Sequence, residues 1–138
     1  GDAWDASYLT TDTVHRGDHA YRMDARTEFS PGLVMPAKAL GTGPGERKFR
    51  ASLYMSLPQR DTTKNTLLVI SVEHRGKPYS YTSAALNRVR SRPGRWDRAS
   101  LTAVVPRIFS PADLVKVYVW NPNRQLFYLD DIRVELVK

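Results

Sequence analysis

Short runs in which every second residue is apolar recur along the chain, with turn-forming residues between them. In residues 49–57, Phe, Ala, Leu, Met and Leu fall on one face of an extended strand, while Arg, Ser, Tyr and Ser fall on the other. Residues 96–105 and 114–120 show the same pattern, and residues 66–75 are apolar on both faces, as in a central strand. Because successive side chains of a strand point to opposite faces, this period predicts strands that each cover a core.

Four further segments extend this pattern over most of the chain. Residues 19–25, 33–40, 79–89 and 127–136 are rich in residues that favour strands. Pro36 cannot donate a hydrogen bond to a neighbouring strand, so its segment is expected at a sheet edge or at a bulge. About eight strands with short polar turns and no convincing helix predict an all-β sandwich or barrel.

The overall composition limits the classes of protein to consider. The chain has 138 residues, enough for one domain with its own core, and it contains no cysteine for a disulfide or a thiolate site. No apolar run approaches the ~18 residues of a membrane span. The formal net charge of +7 fits either a polyanionic partner or a solvated basic surface. A first residue other than Met suggests a processed chain, with a leader or other domains outside it.

Three motifs carry a resemblance to a known family. The closing segment VKVYVWNPNRQLFYLDDIRVEL, the opening segment VHRGDHAYRMDARTEFSPG and the later PGRW resemble jelly-roll domains of the galactose-binding-like superfamily. They are most similar to family 4/9-type carbohydrate-binding modules and accessory domains of secreted bacterial proteins, although Arg16 stands where Ser is usual. The resemblance implies one jelly-roll β-sandwich domain over residues 1–138, with about eight antiparallel strands. It also implies non-catalytic glycan binding and a secreted, periplasmic or cell-surface location.

Two adjacent aspartates interrupt the final strand candidate. Strict alternation places Asp130 on the same face as Ile132 and Val134, which predicts an acid turned toward the apolar side of residues 127–136. An unpaired buried carboxylate is strongly unfavourable, so a partner is expected. Hydrogen bonds from backbone amides or an arginine would satisfy this requirement, and so would a metal ion.

The family resemblance implies a structural calcium ion at this position. Related domains hold calcium with an aspartate of the last strand and ligands from the N-terminal turn. In this sequence those ligands would be Asp130 or Asp131, with Asp18, Asp12 or backbone carbonyls near Gly17. Ca²⁺ prefers several hard oxygen ligands of this kind.

Aromatic side chains on a strand face away from the core suggest a ligand surface. If the valines of residues 114–120 face inward, Tyr118 and Trp120 face outward, and Tyr54, Arg50 and Glu73 also point away from the core. Aromatic rings stack on the C–H faces of sugars, and charged side chains bond their hydroxyls. We therefore expect these five residues to line a groove for polysaccharide, provided that their strands are neighbours. The alternative is that Trp120 packs under a loop and Tyr118 merely favours strand structure.

A basic segment occupies residues 87–98. Its arginines are Arg88, Arg90, Arg92, Arg95 and Arg98. They suit an acidic glycan or another anionic surface, or form a solvated hairpin tip. Trp96 is the single aromatic residue there and is expected in the core or as a loop anchor, so nucleic-acid binding is not predicted.

Catalytic motifs are absent from the sequence. It contains no HExxH, no GxSxG and no phosphate-binding loop. We therefore predict a non-catalytic carbohydrate-binding domain. The alternative is a structural or protein-interaction domain of a secreted or cell-surface protein without sugar affinity, and a small hydrolase ranks third.

Overall fold

The computed structural model describes the backbone of residues 13–16, and residues 20–41, 45–58, 65–86 and 95–137. These residues form nine strands and one short 3₁₀ turn at Ala37–Leu40. The strands are β1 (Thr13–Arg16), β2 (Tyr21–Met23), β3 (Leu33–Pro36), β4 (Arg47–Ser56), β5 (Leu67–His74), β6 (Lys77–Ala85), β7 (Trp96–Val105), β8 (Leu114–Trp120) and β9 (Phe127–Leu136).

The strands form two antiparallel sheets. Sheet A has the order β1-β9-β4-β7, and β2 also pairs with β9; sheet B has the order β3-β8-β5-β6. Because β1 and β2 pair with successive parts of β9, together they occupy one strand position. Counted in this way, eight positions have the strand order of a jelly roll, in which consecutive strands change sheet except at the β5–β6 hairpin. The predicted β-sandwich class is confirmed.

The core lies between the two sheets and contains the inward faces expected from the sequence. Val115, Val117 and Val119 of β8 are each 0% exposed. Phe49 and Leu53 of β4 are also buried. A fully buried side chain of this size contributes about 1.5–3 kcal/mol of transfer free energy, so these alternating residues supply most of what holds the sheets together.

Edge and turn positions follow from local chemistry. β3, which ends at Pro36, is an edge strand of sheet B, as expected. Residues 110–113, just before β8, form a hydrogen-bonded turn in which the amide of Asp113 donates to the carbonyl of Ser110 at 3.0 Å. Over the described ranges, the structure has no helix with the length and apolar character needed to cross a membrane.

A β-bulge in β9 changes the expected position of the two acids. Asp131 and Ile132 together oppose Leu53 of β4, and Asp131 has a left-handed backbone with φ of 52°. The extra residue shifts the alternation by one position. Ile132 therefore points into the core, whereas Asp130 lies on the outer face with Tyr128. The expectation that β9 turns Asp130 toward the core is wrong for this reason.

The bulge predicts an unusual order of mutant stabilities at Asp131. Asp131→Val should lower the free energy of unfolding by about 2 kcal/mol, because a β-branched residue is strained at positive φ. Asp131→Gly should stay within about 1 kcal/mol of wild type, because glycine adopts this conformation freely. Urea unfolding measures both values. Equal stability of the Val and Gly variants would contradict the bulge.

Candidate functional site

The jelly-roll order separates the predicted ligand residues into two groups. Tyr118 and Trp120 of β8 and Glu73 of β5 lie in sheet B, whereas Tyr54 and Arg50 of β4 lie in sheet A. The condition that their strands are neighbours is not met. Outward side chains of opposite sheets point in opposite directions, so these five residues cannot line one groove.

Phe29 joins the two aromatic residues of β8, a contact that sequence analysis missed. Its ring stacks on Trp120, with a centroid distance of 6.4 Å and an interplanar angle of 14°. It meets Tyr118 edge-on at 6.0 Å. Phe29 itself is 54% exposed. We refer to Phe29, Tyr118 and Trp120 as the aromatic cluster.

Backbone hydrogen bonds hold Phe29 in this position. The amide of Ser30 donates to the carbonyl of Val119 at 2.9 Å, and the amide of Asn121 donates to the carbonyl of Glu28 at 2.6 Å. The hydroxyl of Ser30 also accepts from the amide of Val119 at 2.9 Å. Residues 28–30 therefore continue the edge of sheet B beside β8, which fixes the Phe29 ring over its neighbours.

Trp120 is held from its polar side as well. Its indole Nε1 donates to Glu28 at 3.1 Å, and Arg124 contacts the other carboxylate oxygen of Glu28 at 3.5 Å. The indole is half-buried because Phe29 covers part of it. Trp120 therefore packs under a loop residue, as the second alternative predicted, and that residue, Phe29, presents the exposed ring.

Aromatic residues extend across sheet B from β8 to β6. Val69 of β5 lies opposite Tyr118 on the outer face, yet it is completely buried. Tyr81 of β6 is 55% exposed. Burial raises the pKa of Tyr118, and its electrostatic interaction and hydrogen bond with Tyr81 raise it further. The two phenols therefore meet above β5, and the aromatic surface spans three strands.

A depression of ≈ 240 Å³ adjoins the aromatic cluster on the side of β3. It is lined by Phe29, Gly32, Val34, Lys116 and Tyr118, among others. A Cβ atom on Gly32 would lie 2.2 Å from the carbonyl oxygen of Val117, so the strands approach this closely only with glycine there. The missing side chain leaves the space beside Tyr118 open.

Charged groups border this depression. The Nζ of Lys116 lies 2.8 Å from a carboxylate oxygen of Glu73. Both side chains are partly buried, and their charges offset each other. This part of sheet B therefore offers apolar rings beside one donor and one acceptor group without a large net charge.

The outer face of sheet A carries a separate group of side chains. Tyr54 and Trp96 are both exposed, and Arg98 is paired with Tyr54 in the register of β4 and β7. Trp96 was expected in the core or as a loop anchor, but it lies on the surface. Arg50 faces Glu135 at 3.6 Å. The structure describes Arg95 and Arg98 of the basic segment, whereas Arg88, Arg90 and Arg92 lie outside the described residues.

The predicted calcium ligands are placed in part. The carboxylate of Asp130 accepts from the amide of Asp131 at 2.8 Å, and that of Asp131 accepts from Arg133 at 3.0 Å. Asp18 and Asp12 lie outside the described residues. Within the part of the chain that the structure describes, no three His, Cys, Asp or Glu side chains group as a metal site. Calcium remains a prediction.

A second polar centre lies at one end of the sandwich and was not predicted. Asp113, 3% exposed, precedes β8 and accepts from three groups. These are Nδ1 of His74 at 2.5 Å, the hydroxyl of Tyr79 at 2.8 Å and the amide of Ser110 at 3.1 Å. His74 and Tyr79 lie 39 and 34 residues before Asp113 in the sequence, so no local pattern indicates these contacts.

The ionisation of this centre follows from its contacts. Burial acts to raise the pKa of Asp113, but the hydrogen bonds from His74, Tyr79 and Ser110 outweigh it, so the pKa is lowered from 3.8. Burial, followed by the hydrogen bond to Asp113, raises the pKa of Tyr79 to about 12. Asp113 therefore stays ionised while buried, and it joins β5, β6 and the segment before β8.

Comparison with known proteins adds the following findings. No protein-family model and no curated protein matches the chain. Among solved structures, it is similar to a family 16 carbohydrate-binding module, with 13% identity over 98% of this chain and 90% of that chain and a TM-score of 0.47. It is also similar to the CBM22-2 xylan-binding domain of Paenibacillus barcinonensis Xyn10C, with 13% identity over 77% of this chain and 71% of that chain and a TM-score of 0.46.

A third similar structure is a much longer enzyme. The chain matches the arabinose-bound MgGH51 α-L-arabinofuranosidase with 11% identity and a TM-score of 0.46, covering 94% of this chain but 18% of that one. Two of these three structures are carbohydrate-binding modules, the class that the sequence motifs resemble.

The Asp113 centre predicts a specific pH dependence of stability. Asp113→Asn should lower the free energy of unfolding by about 2 kcal/mol at neutral pH, because charge-assisted hydrogen bonds are lost. Since the folded pKa is depressed, the stabilisation by wild-type Asp113 is present above pH 3.8 and is lost as the pH falls through the folded value. Thermal unfolding from neutral to acidic pH should show the two proteins converging, and a constant difference would contradict the assignment.

Proposed function

We propose that this domain binds carbohydrate without catalysing a reaction, through the outer face of sheet B. The observation that supports this most strongly is the aromatic cluster, in which an exposed Phe29 ring is held by Trp120 and Tyr118. Such a domain would serve as an accessory module or as part of a secreted or cell-surface protein. The resemblance of the closing hairpin to carbohydrate-binding modules supports the same function.

The chemistry of the surface fits a sugar ring. The C–H face of a pyranose stacks on an aromatic ring, and a ring already held in place loses little conformational freedom on binding. Lys116 and Glu73 can donate to and accept from sugar hydroxyls beside the Tyr118 ring. Because their charges offset each other, a neutral glycan suits this face.

The extent of the surface favours a chain of sugars over a single unit. Tyr81 of β6 is separated from β8 by β5, so the aromatic residues span two strand spacings, about 10 Å. The depression beside Tyr118 adds space on the β3 side. We therefore propose a polysaccharide or a long oligosaccharide as the partner.

A structural or protein-interaction role without sugar affinity is the second candidate. The observation that favours it is the outer face of sheet A, where Tyr54 and Trp96 are exposed beside Arg98. Large exposed aromatic side chains are also found at protein interfaces. The two candidates use opposite faces of the sandwich, so matched variants separate them.

Substitution of Phe29 tests the proposed carbohydrate surface. Phe29→Ala should weaken binding to a polysaccharide found by glycan array by about tenfold, because the exposed stacking ring is lost. Trp120→Ala should weaken it similarly. Isothermal titration calorimetry measures the affinities, and circular dichroism checks that each variant folds.

Tyr54→Ala is the matched control, because it removes an exposed aromatic side chain from the opposite sheet. It should leave the affinity unchanged. If Tyr54→Ala abolishes binding and Phe29→Ala does not, the proposed face is wrong. If wild-type protein binds nothing on a broad array, the structural or protein-interaction role is favoured.

We also propose a structural calcium ion between β9 and the segment that joins β1 to β2. In support, Arg16 pairs with Ile132 and Tyr21 pairs with Leu129, so these two strands adjoin β9 on either side of the Asp130 and Asp131 pair. Asp18 belongs to the joining segment in sequence. Oxygen ligands of this kind suit Ca²⁺ rather than a softer metal.

Calcium should raise the melting temperature of the wild-type protein, because an ion that binds the folded state stabilises it by mass action. Thermal unfolding in calcium and in chelator measures the shift. Asp130→Asn should reduce it, whereas Asp24→Asn, an acid elsewhere on the surface, should not. No shift in wild-type protein would remove the calcium proposal.

A further inference from the structure

The end of the sandwich near Asp113 has the composition of a second ligand site. It is formed by the turn between β5 and β6 and by the segment joining β7 to β8. The inner half of that segment is anchored, because its carbonyls at Asp113 and Pro111 accept from the amides of Ala37 and Lys38 at 2.7 and 3.0 Å. Its outer half presents Phe109 to solvent.

Phe109 is an exposed ring on a rigid support. It is 54% exposed, although it is large and apolar. Tyr79 meets the ring edge-on at 4.8 Å, and His74 lies at 5.9 Å with a tilt of 51°. Tyr79 and His74 are both bonded to the buried Asp113, so the surface below Phe109 is fixed.

His74 presents one nitrogen to the outside. Its Nδ1 is bonded to the carboxylate of Asp113 at 2.5 Å, and 38% of its side chain is exposed. An ionised carboxylate accepts hydrogen bonds and does not donate them, so Nδ1 carries the proton. Nε2 is then left for an external group. By holding Nδ1, Asp113 fixes the orientation of the imidazole, so that Nε2 stays in place for contact with a ligand.

Arg107 contributes a positive charge at the same ring. Its guanidinium carbon lies 5.0 Å from the centre of the Phe109 ring. Among the side chains that the structure describes, Arg107 forms no ion pair, whereas Arg50, Arg124 and Arg133 each lie beside a carboxylate. A cation over an aromatic face is held in place and keeps donors for an anion.

The surrounding charges have the same sign. Arg75 of the β5–β6 turn and Lys77 at the start of β6 are both exposed. Asp113 and Glu73, the acids described beside His74, are already engaged, since Asp113 is bonded to His74 and Glu73 is paired with Lys116. Among the described residues, an anionic group therefore meets positive charges here and no unpaired carboxylate beside His74.

The geometry points to a binding site for an acidic sugar unit, with its ring on Phe109 and its anionic group between Arg107 and His74. The shared chemistry is an oxyanion, carboxylate or sulfate, carried on a pyranose ring. Arginine suits both groups because its planar donors match their oxygen atoms. This inference rests on the proposed carbohydrate function, because that function supplies the class of ligand. The site itself shares no residue with the aromatic cluster of sheet B.

Calorimetry with three defined probes tests this site on the whole chain. The probes are an oligogalacturonate, a heparin-derived sulfated oligosaccharide and a neutral xylo-oligosaccharide of similar length. Arg107→Ala and Phe109→Ala should each weaken binding of an acidic probe about tenfold, and Arg107→Lys should fall between Arg107→Ala and wild type. The affinity for the neutral probe should be the same in all three variants as in the wild-type protein. Melting curves confirm folding, which is expected because both side chains are exposed.

Three comparison variants, Lys48→Ala, Phe29→Ala and Arg98→Ala, make the outcome specific. Lys48→Ala removes one positive charge from an exposed position of β4 and should leave the acidic affinity unchanged. Phe29→Ala should also leave the affinity for the acidic probes unchanged, while it weakens any binding of the neutral probe. A failure of the sheet B proposal is therefore detected separately from a failure of this site. The inference is overturned if neither acidic probe binds. It is also overturned if Lys48→Ala weakens binding as much as Arg107→Ala, or if Arg98→Ala abolishes it and Arg107→Ala does not.

Discussion

Burial of one face of β8 is the constraint on which the rest of the structure depends. Val115, Val117 and Val119 are fully enclosed between the sheets, and pairing with β3 and β5 holds the strand from both sides. Because the side-chain period of a strand is two, this burial forces Tyr118 and Trp120 outward. A shift of one residue would exchange the valines and the aromatic side chains, with a large loss of apolar burial. The stability of the core therefore also determines the surface that we propose for carbohydrate.

The jelly-roll order then decides which side chains meet. It places β4 and β8 in opposite sheets, so Tyr54 is separated from Tyr118 although both point away from the core. It also brings His74 to Asp113, 39 residues further along the chain, at the end of the sandwich. Two surfaces with different chemistry result: an aromatic face with offset charges on sheet B, and a basic end with one exposed ring.

The sequence predicted the strands well because period-two burial is a local property. The predicted segments 96–105, 114–120 and 127–136 coincide with β7, β8 and β9. It failed at Asp131, since a bulge depends on how a strand pairs with its neighbour and leaves no mark in the alternation. It failed again at Phe29 and Trp96. Nothing in the local pattern reveals that the first stacks on Trp120 or that the second is exposed.

By itself, the sequence determined that this chain forms an all-β fold, which residues of β4, β7 and β8 face the core, and that Tyr118 and Trp120 point outward. These properties follow from the spacing of apolar residues and from turn chemistry, both of which act over a few residues. Only the tertiary structure decided that Phe29 completes the aromatic cluster, that Tyr54 belongs to the opposite face, and that Asp113 orients His74 beside Phe109. Those contacts join residues far apart in the chain, and strand order, which local sequence does not encode, brings them together.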